Sequence, residues 1–342
     1  MRWWRWVGRR ITVPALAVAV ALLPLGGLWA ADLGTPADVR TRGHDAVWLG
    51  HAWVDGRKSE ADAVALLARL GGAGTGHGVR DIYVHVGPTG DDGSLDASLH
   101  PRAAWAIATF HRLAPGVRVQ AWLGDVVASE GPHGLDLARP ATRAHLAAAA
   151  SSLLDLGFDG INLDLEPVHS GDAGYLAVLD RLHALTGARG RVLSTAVPQT
   201  DPLPPLRALA GALTGHPKWW SQDYLAQVAR RVDQVDVMAY DSGMPTTALF
   251  SGYIAQQTEL ALAAAPPSVD VLVGLPAYHE NNLGHHASAE TVPAALRGIR
   301  LALAAVPLHG RSFGAALYVD YAATDADWSA YRDGWGGSTL SR

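Results

Sequence analysis

Three polar side chains stand at alternate positions within the segment Gly157-Phe158-Asp159-Gly160-Ile161-Asn162-Leu163-Asp164-Leu165-Glu166-Pro167. Extended backbone sends successive side chains to opposite faces. Asn162, Asp164 and Glu166 therefore share one face, and Ile161, Leu163 and Leu165 share the other. Carboxyl groups two residues apart on a strand lie within about 7 Å of each other. Their repulsion raises one pKa and keeps a proton available near neutral pH. A protonated acid beside an ionised one suits cleavage of a glycosidic bond, where the acid protonates the leaving oxygen. Enclosing such a face costs free energy unless its groups are hydrogen-bonded or used.

The surrounding sequence must supply the scaffold. Short runs rich in Val, Ile and Leu recur at 47–54, 80–87, 117–124, 160–166, 191–198, 235–240, 269–277 and 314–321. Helical stretches are predicted between them at 58–71, 101–113, 140–156, 172–187, 220–231, 252–265 and 288–304. Apolar strands alternating with helices indicate a parallel sheet covered on both faces. Eight such strands over this length predict a single α/β domain, a (β/α)₈ TIM barrel, over 46–342. An open doubly wound sheet would call for a Gly-rich phosphate loop after its first strand, and none follows Val54. The longer connections near 88–100, 125–139 and 198–219 follow strands, which puts them at the C-terminal face where barrels build their sites. The Pro-rich 198–219 loop is expected to wall a cleft.

The run Asp159-Gly160-x-Asn162-x-Asp164-x-Glu166 resembles the fourth-strand signature of glycoside hydrolase family 18, the chitinase-like barrels, Asp-Gly-x-Asp-x-Asp-x-Glu. Val237-Met238-Ala239-Tyr240-Asp241 is similar to that family's sixth-strand Met-x-Tyr-Asp motif. Leu272-Val273-Gly274-Leu275-Pro276-Ala277-Tyr278 is similar to its seventh-strand Gly-x-Pro-x-Tyr segment. The resemblance implies substrate-assisted retaining hydrolysis of an N-acetylhexosamine glycan. Glu166 would be the general acid, Asp164 would orient the substrate's own acetamido nucleophile, and Tyr240 would help hold it. Asp241 would add a polar contact at the same rim. Three features depart from the pattern. Asn162 replaces the inner aspartate, the eighth strand offers Tyr318 where a tryptophan usually floors the sugar site, and the loop after Tyr278 is too short for an extra domain. An open, shallow groove follows from the last.

Further substrate contacts are sought among aromatic and polar residues near strand ends: Trp53, Trp122, His85 and Tyr278. Aromatic faces stack on sugar rings, although tryptophan in a barrel is more often packed and His85 suits a hydrogen-bonded core. Asp125 ends the third strand and is a weaker candidate for a hydroxyl contact. Trp219 and Trp220 suit loop anchoring as well as sugar binding. His279, Glu280, His285 and His286 lack helical ligand spacing, so they read as a solvated loop and not as a metal site. No cofactor is expected.

Arg2, Arg5, Arg9 and Arg10 precede an uncharged run from Ile11 to Ala31. A basic cluster followed by an apolar segment is read as a signal peptide or signal anchor over 1–31, with 32–45 as a linker. This implies a secreted or cell-envelope protein with a membrane tether where the segment is retained. A net charge of −5 and the lack of a basic stripe past the N-terminus argue against nucleic-acid partners. With no cysteine, thiolate metal sites and cysteine nucleophiles are excluded. Two functions stay open on sequence, beside a third, weaker reading in which hydrolysis needs no acetamido group and Glu166 works with another rim carboxylate such as Asp241. One is an exported glycoside hydrolase with a glycan substrate. The other is a non-catalytic carbohydrate-binding envelope protein on the same barrel, motivated by Asn162 and the missing tryptophan.

Overall fold

The structure is a computed structural model and describes residues 24–74, 77–129, 133–203 and 219–336. The predicted export segment up to residue 23, and 204–218 of the predicted cleft wall, lie outside the described residues. Eight parallel strands close into a barrel in sequence order. They are β1 (Asp45–Leu49), β2 (Val79–His85), β3 (Arg118–Val126), β4 (Gly160–Glu166), β5 (Val192–Val197), β6 (Gln234–Val237), β7 (Asp270–Pro276) and β8 (Phe313–Tyr318). The helices that follow them are α1 (Glu60–Leu70), α2 (Ala103–Leu113), α3 (Pro140–Asp155), α4 (Ala173–Gly187), α5 (Gln222–Ala229), α6 (Thr247–Ala264), α7 (Val292–Ala305) and α8 (Asp325–Tyr331). The (β/α)₈ barrel read from the sequence is the fold observed.

Local chemistry explains the helix starts. Ser59 and Thr324 open α1 and α8 with capping boxes. Asp172, Ser221, Thr246 and Thr291 accept first-turn N–H groups of α4, α5, α6 and α7. Thr246 starts α6 five residues before the predicted helix, because the cap rather than the apolar run sets the boundary. The first strand is also shorter than predicted. It stops at Leu49, because Asp320 accepts from Gly50 N at 2.7 Å and from Trp53 Nε1 at 2.7 Å and turns the chain away.

Alternation along the strands separates two environments. Ile161, Leu163 and Leu165 join the apolar layer between sheet and helices. The lumen combines an apolar cluster, with Ala46, Trp48, Leu272 and Ala316, with buried polar groups. Arg118 grips Asp81 through Nε and Nη2 at 2.6 and 2.7 Å, and Gln120 Nε2 donates to the same carboxylate at 2.8 Å. Asp45 is buried at the start of β1 and accepts from Ala315 N, Tyr331 Oη and Trp335 Nε1. The aromatic tail residues thus seal the end of the barrel opposite the Glu166 face. Residues 24–32 form a helix that packs on α6, where a Cβ on Gly252 would fall 2.0 Å from the Leu28 carbonyl oxygen. The segment expected as a linker lies along α7, with Asp32 paired to Arg297 and Ala37 N donating to Arg300 O. Among the described residues, no helix is long and apolar enough to cross a membrane.

Candidate active site

β4 ends at the barrel mouth and delivers Asp164 and Glu166 into one pocket of about 210 Å³. The loop after β6 adds Met238, Tyr240 and Asp241, the loop after β5 adds Pro198 and Gln199, and the end of β8 adds Tyr318. Glu166 as a whole residue is exposed at the rim, while protein closely surrounds its carboxyl. Burial first, and the negative charge of Asp164 second, push its pKa up to about 8. Burial also raises Asp164, opposed by a hydrogen bond from Trp122 Nε1 to its Oδ2 at 2.8 Å. That bond favours ionised Asp164, so the proton of the pair resides on Glu166 at neutral pH.

Two buried polar atoms of this pocket make no hydrogen bond: Asp164 Oδ1, an acceptor, and the Tyr240 hydroxyl, a donor. Leaving such atoms unpaired costs about 1–3 kcal/mol each. Tyr240 is firmly held. Its ring stacks on Tyr318 at 5.3 Å and meets Tyr278 edge-on at 5.8 Å, and its carbonyl accepts from Gln199 Nε2. A Cβ on Gly274 would lie 2.5 Å from Tyr240 Cε1, so β7 needs glycine where the tyrosine crosses it. Asp241 takes φ +54°, a left-handed conformation that aspartate tolerates better than most residues. Its Oδ1 accepts from Tyr278 Oη at 2.6 Å.

The remaining candidates divide by depth. Tyr318 lines the pocket where a tryptophan was missing from the sequence pattern. Asn162 does not reach the pocket. It is fully buried, accepts from Trp48 Nε1 at 3.0 Å and donates to Ser194 Oγ and Asp236 Oδ2, both at 2.9 Å. Asp236 also accepts from Tyr83 Oη at 3.0 Å, and burial pushes its pKa up to about 7. The inner carboxylate absent from β4 is thus present on β6. An aspartate at 162 would face it, whereas an amide bonds to it.

Trp53 is not at the pocket. It is buried against Phe110 at 5.2 Å and fixes the turn after β1. Trp122 is also largely buried, and its contribution is the hydrogen bond to Asp164 rather than an open stacking face. His85 belongs to a second hollow of about 460 Å³ with His51, Trp122, Asp320 and Tyr321, and burial lowers its pKa to about 4, leaving it neutral. Asp125 accepts from Thr89 Oγ1 and lies outside the pocket lining. Trp219 donates to Tyr253 Oη at 3.1 Å and Trp220 to Val168 O at 2.6 Å, so both anchor loops.

His285 corrects the solvated-loop reading: it is fully buried against Asp241 and Glu290. His279 pairs with Asp327 at 2.8 Å. Asp159, the first residue of the signature, binds Arg191 and His111, each at 2.6 Å, at the opposite end of β4. Gln199 was not singled out in the sequence, since no motif surrounds it.

No protein-family model matches the chain, and no curated protein matches it. Solved structures do. A chitinase from Chromobacterium violaceum ATCC 12472 is 16% identical with a TM-score of 0.57, over 88% of this chain and 100% of that one. The spore cortex-lytic enzyme SleL of Bacillus megaterium QM B1551 is 13% identical with a TM-score of 0.58, over 90% and 77%. A class V chitininase from Pseudomonas fluorescens Pf-5 is 16% identical with a TM-score of 0.52, over 88% and 99%. At these identities the likeness is one of fold.

Proposed function

We propose that this protein is a glycoside hydrolase acting on an N-acetylhexosamine-containing glycan by substrate-assisted retaining hydrolysis. The observation that carries the reading is the pair of unbonded atoms at the pocket, Asp164 Oδ1 and Tyr240 Oη. An acetamido group presents one N–H donor and one carbonyl acceptor, the complement of that pair. With its N–H bonded to Asp164 and its oxygen to Tyr240, the group is held for attack on the anomeric carbon. Glu166 donates its proton to the glycosidic oxygen as the C–O bond breaks and the acetamido oxygen bonds to carbon. The resulting cyclic cation is stabilised by ionised Asp164. Glu166, now a carboxylate, takes a proton from the water that opens the ring, and the configuration at the sugar carbon is retained. The proton that burial and Asp164 hold on Glu166 supports this role, as does the fold shared with chitinases and a cortex-lytic enzyme.

The basic cluster and apolar run at the N-terminus support export to the cell envelope or beyond, which would bring such an enzyme to a wall or extracellular glycan. The test is release of chromophore from chromogenic N-acetylglucosamine oligomers by wild type and Glu166→Gln. Wild-type turnover, reduced about 10²–10⁴-fold by the substitution, is expected for loss of a general acid. Binding of the oligomers without turnover by wild type would instead favour the non-catalytic carbohydrate-binding protein.

A further inference from the structure

Beside the pocket, the loops after β6 and β7 bring one histidine and two carboxylates together. One ligand atom from each of Asp241, His285 and Glu290 lies within 4.8 Å of the other two. His285 Nδ1 is 3.2 Å from Asp241 Oδ1 and 3.3 Å from Glu290 Oε2. His285 and Glu290 are 0% and 1% exposed. Despite these short separations, neither ring nitrogen of His285 makes a hydrogen bond. A buried imidazole with two carboxylate oxygens in reach and no aligned bond to either calls for another occupant of the space between them.

We propose that Asp241, His285 and Glu290 form a binding site for a divalent transition-metal ion of the zinc class, clamping the β6–α6 loop to the β7–α7 loop at the barrel mouth. Tetrahedral zinc with bonds of about 2.0–2.2 Å sets neighbouring donor atoms roughly 3.3–3.5 Å apart. The two separations measured from His285 Nδ1 fall close to that spacing. Two carboxylates and a neutral imidazole balance a doubly charged cation. With no thiolate in the set, zinc or manganese suits it better than a softer ion.

The outer groups orient the donors. Glu290 Oε1 accepts from Ser242 N, Ser242 Oγ and Gly243 N at 3.1, 3.0 and 3.0 Å, which turns Oε2 towards His285. Tyr278 donates to Asp241 Oδ1 and stacks on the His285 ring at 4.3 Å. His285 Nε2 has no such support, so affinity should fall roughly 10–100-fold short of a fully supported site. A bound ion would fix Asp241 at the pocket rim and, through it, Tyr278.

The test is calorimetric titration of chelator-treated full-length protein with zinc chloride, with no glycan present. The expected result is one saturable zinc per chain and a higher Tm with zinc. Glu290→Gln, nearly isosteric, should weaken binding at least tenfold, and His285→Ala should remove it. Cobalt(II) should give the intense visible bands of a four-coordinate ion. No saturable wild-type binding, or binding that Glu290→Gln leaves unchanged because zinc sits on other histidines, would overturn the proposal. If His285→Ala does not fold, the wild-type stoichiometry and Glu290→Gln still decide.

Discussion

At the scale of single residues, the site depends on which carboxyl keeps the proton. Trp122 donates to Asp164, and among the described residues no comparable donor favours the charge on Glu166. The raised pKa of Glu166 has a direct consequence: activity that needs its proton is present below about pH 8 and lost as pH rises through that value. A kcat/KM profile on N-acetylglucosamine oligomers checks this, and an alkaline limb in the ordinary glutamate range near pH 4–5 would contradict it. Gly274 is a second sensitive point. Gly274→Ala drives a methyl group into Tyr240, and a displacement on the order of 1 Å can cost about a hundredfold in rate. We expect kcat/KM to fall on that scale while the circular dichroism spectrum is retained. That Glu166, Asp164 and Tyr240 meet at one pocket was readable, because each sits in a short motif at or just past a strand end. The Trp122 bond was not, because it depends on how β3 and β4 register, with Gly124 beside Asp164. Nor was the burial of His285, whose local sequence is polar and which is enclosed where its own loop folds back on Asp241 from the loop after β6.

At the scale of elements, β4 places a buried amide deep in the barrel and two carboxyl groups at the pocket, all on one face. Asn162 ties β4 to β1 through Trp48, to β5 through Ser194 and to β6 through Asp236. It accepts on one side and donates on the other, which only an amide of this size does. Above about pH 7, where Asp236 is ionised, Asn162→Asp would set one carboxylate against another and should destabilise the barrel by about 1–3 kcal/mol. Adding Asp236→Asn should recover most of the loss. Urea unfolding of the two single variants and the double variant measures the coupling, and strictly additive effects would contradict a direct β4–β6 contact. The strands were legible from apolar runs, and β4 matched its predicted bounds. Boundaries failed where tertiary contacts decide them. β1 is cut short by Asp320, far away in the chain, and α6 begins at a cap that hydrophobic pattern alone does not mark.

At the scale of the whole molecule, the barrel buries carboxyl groups at both ends and in its lumen. Burial pushes Asp45 up to about 6 and Asp236 up to about 7. Both therefore hold protons in the folded state that the unfolded chain releases. Their contribution to stability is complete below the ordinary aspartate range and is lost as pH rises through about 6 and about 7. Thermal melts should show a lower Tm at pH 8 than at pH 5, and a Tm that climbs steadily across that interval would contradict the assignment. The closed sheet was foreseeable from the alternation of apolar strands with helices, whereas the sealing of its lower end by Tyr331 and Trp335 was not, since a short aromatic tail carries no periodic signal. The scaffold holds Asp164 Oδ1 and the Tyr240 hydroxyl without a hydrogen-bond partner, and the proposed hydrolysis assigns both to the substrate. The most direct measurement is a crystal structure of Glu166→Gln with an N-acetylglucosamine oligomer bound. The expected density shows an acetamido group whose N–H meets Asp164 Oδ1 and whose oxygen meets the Tyr240 hydroxyl. An oligomer seated with that acetamido turned to solvent, or bound outside this pocket, would contradict it.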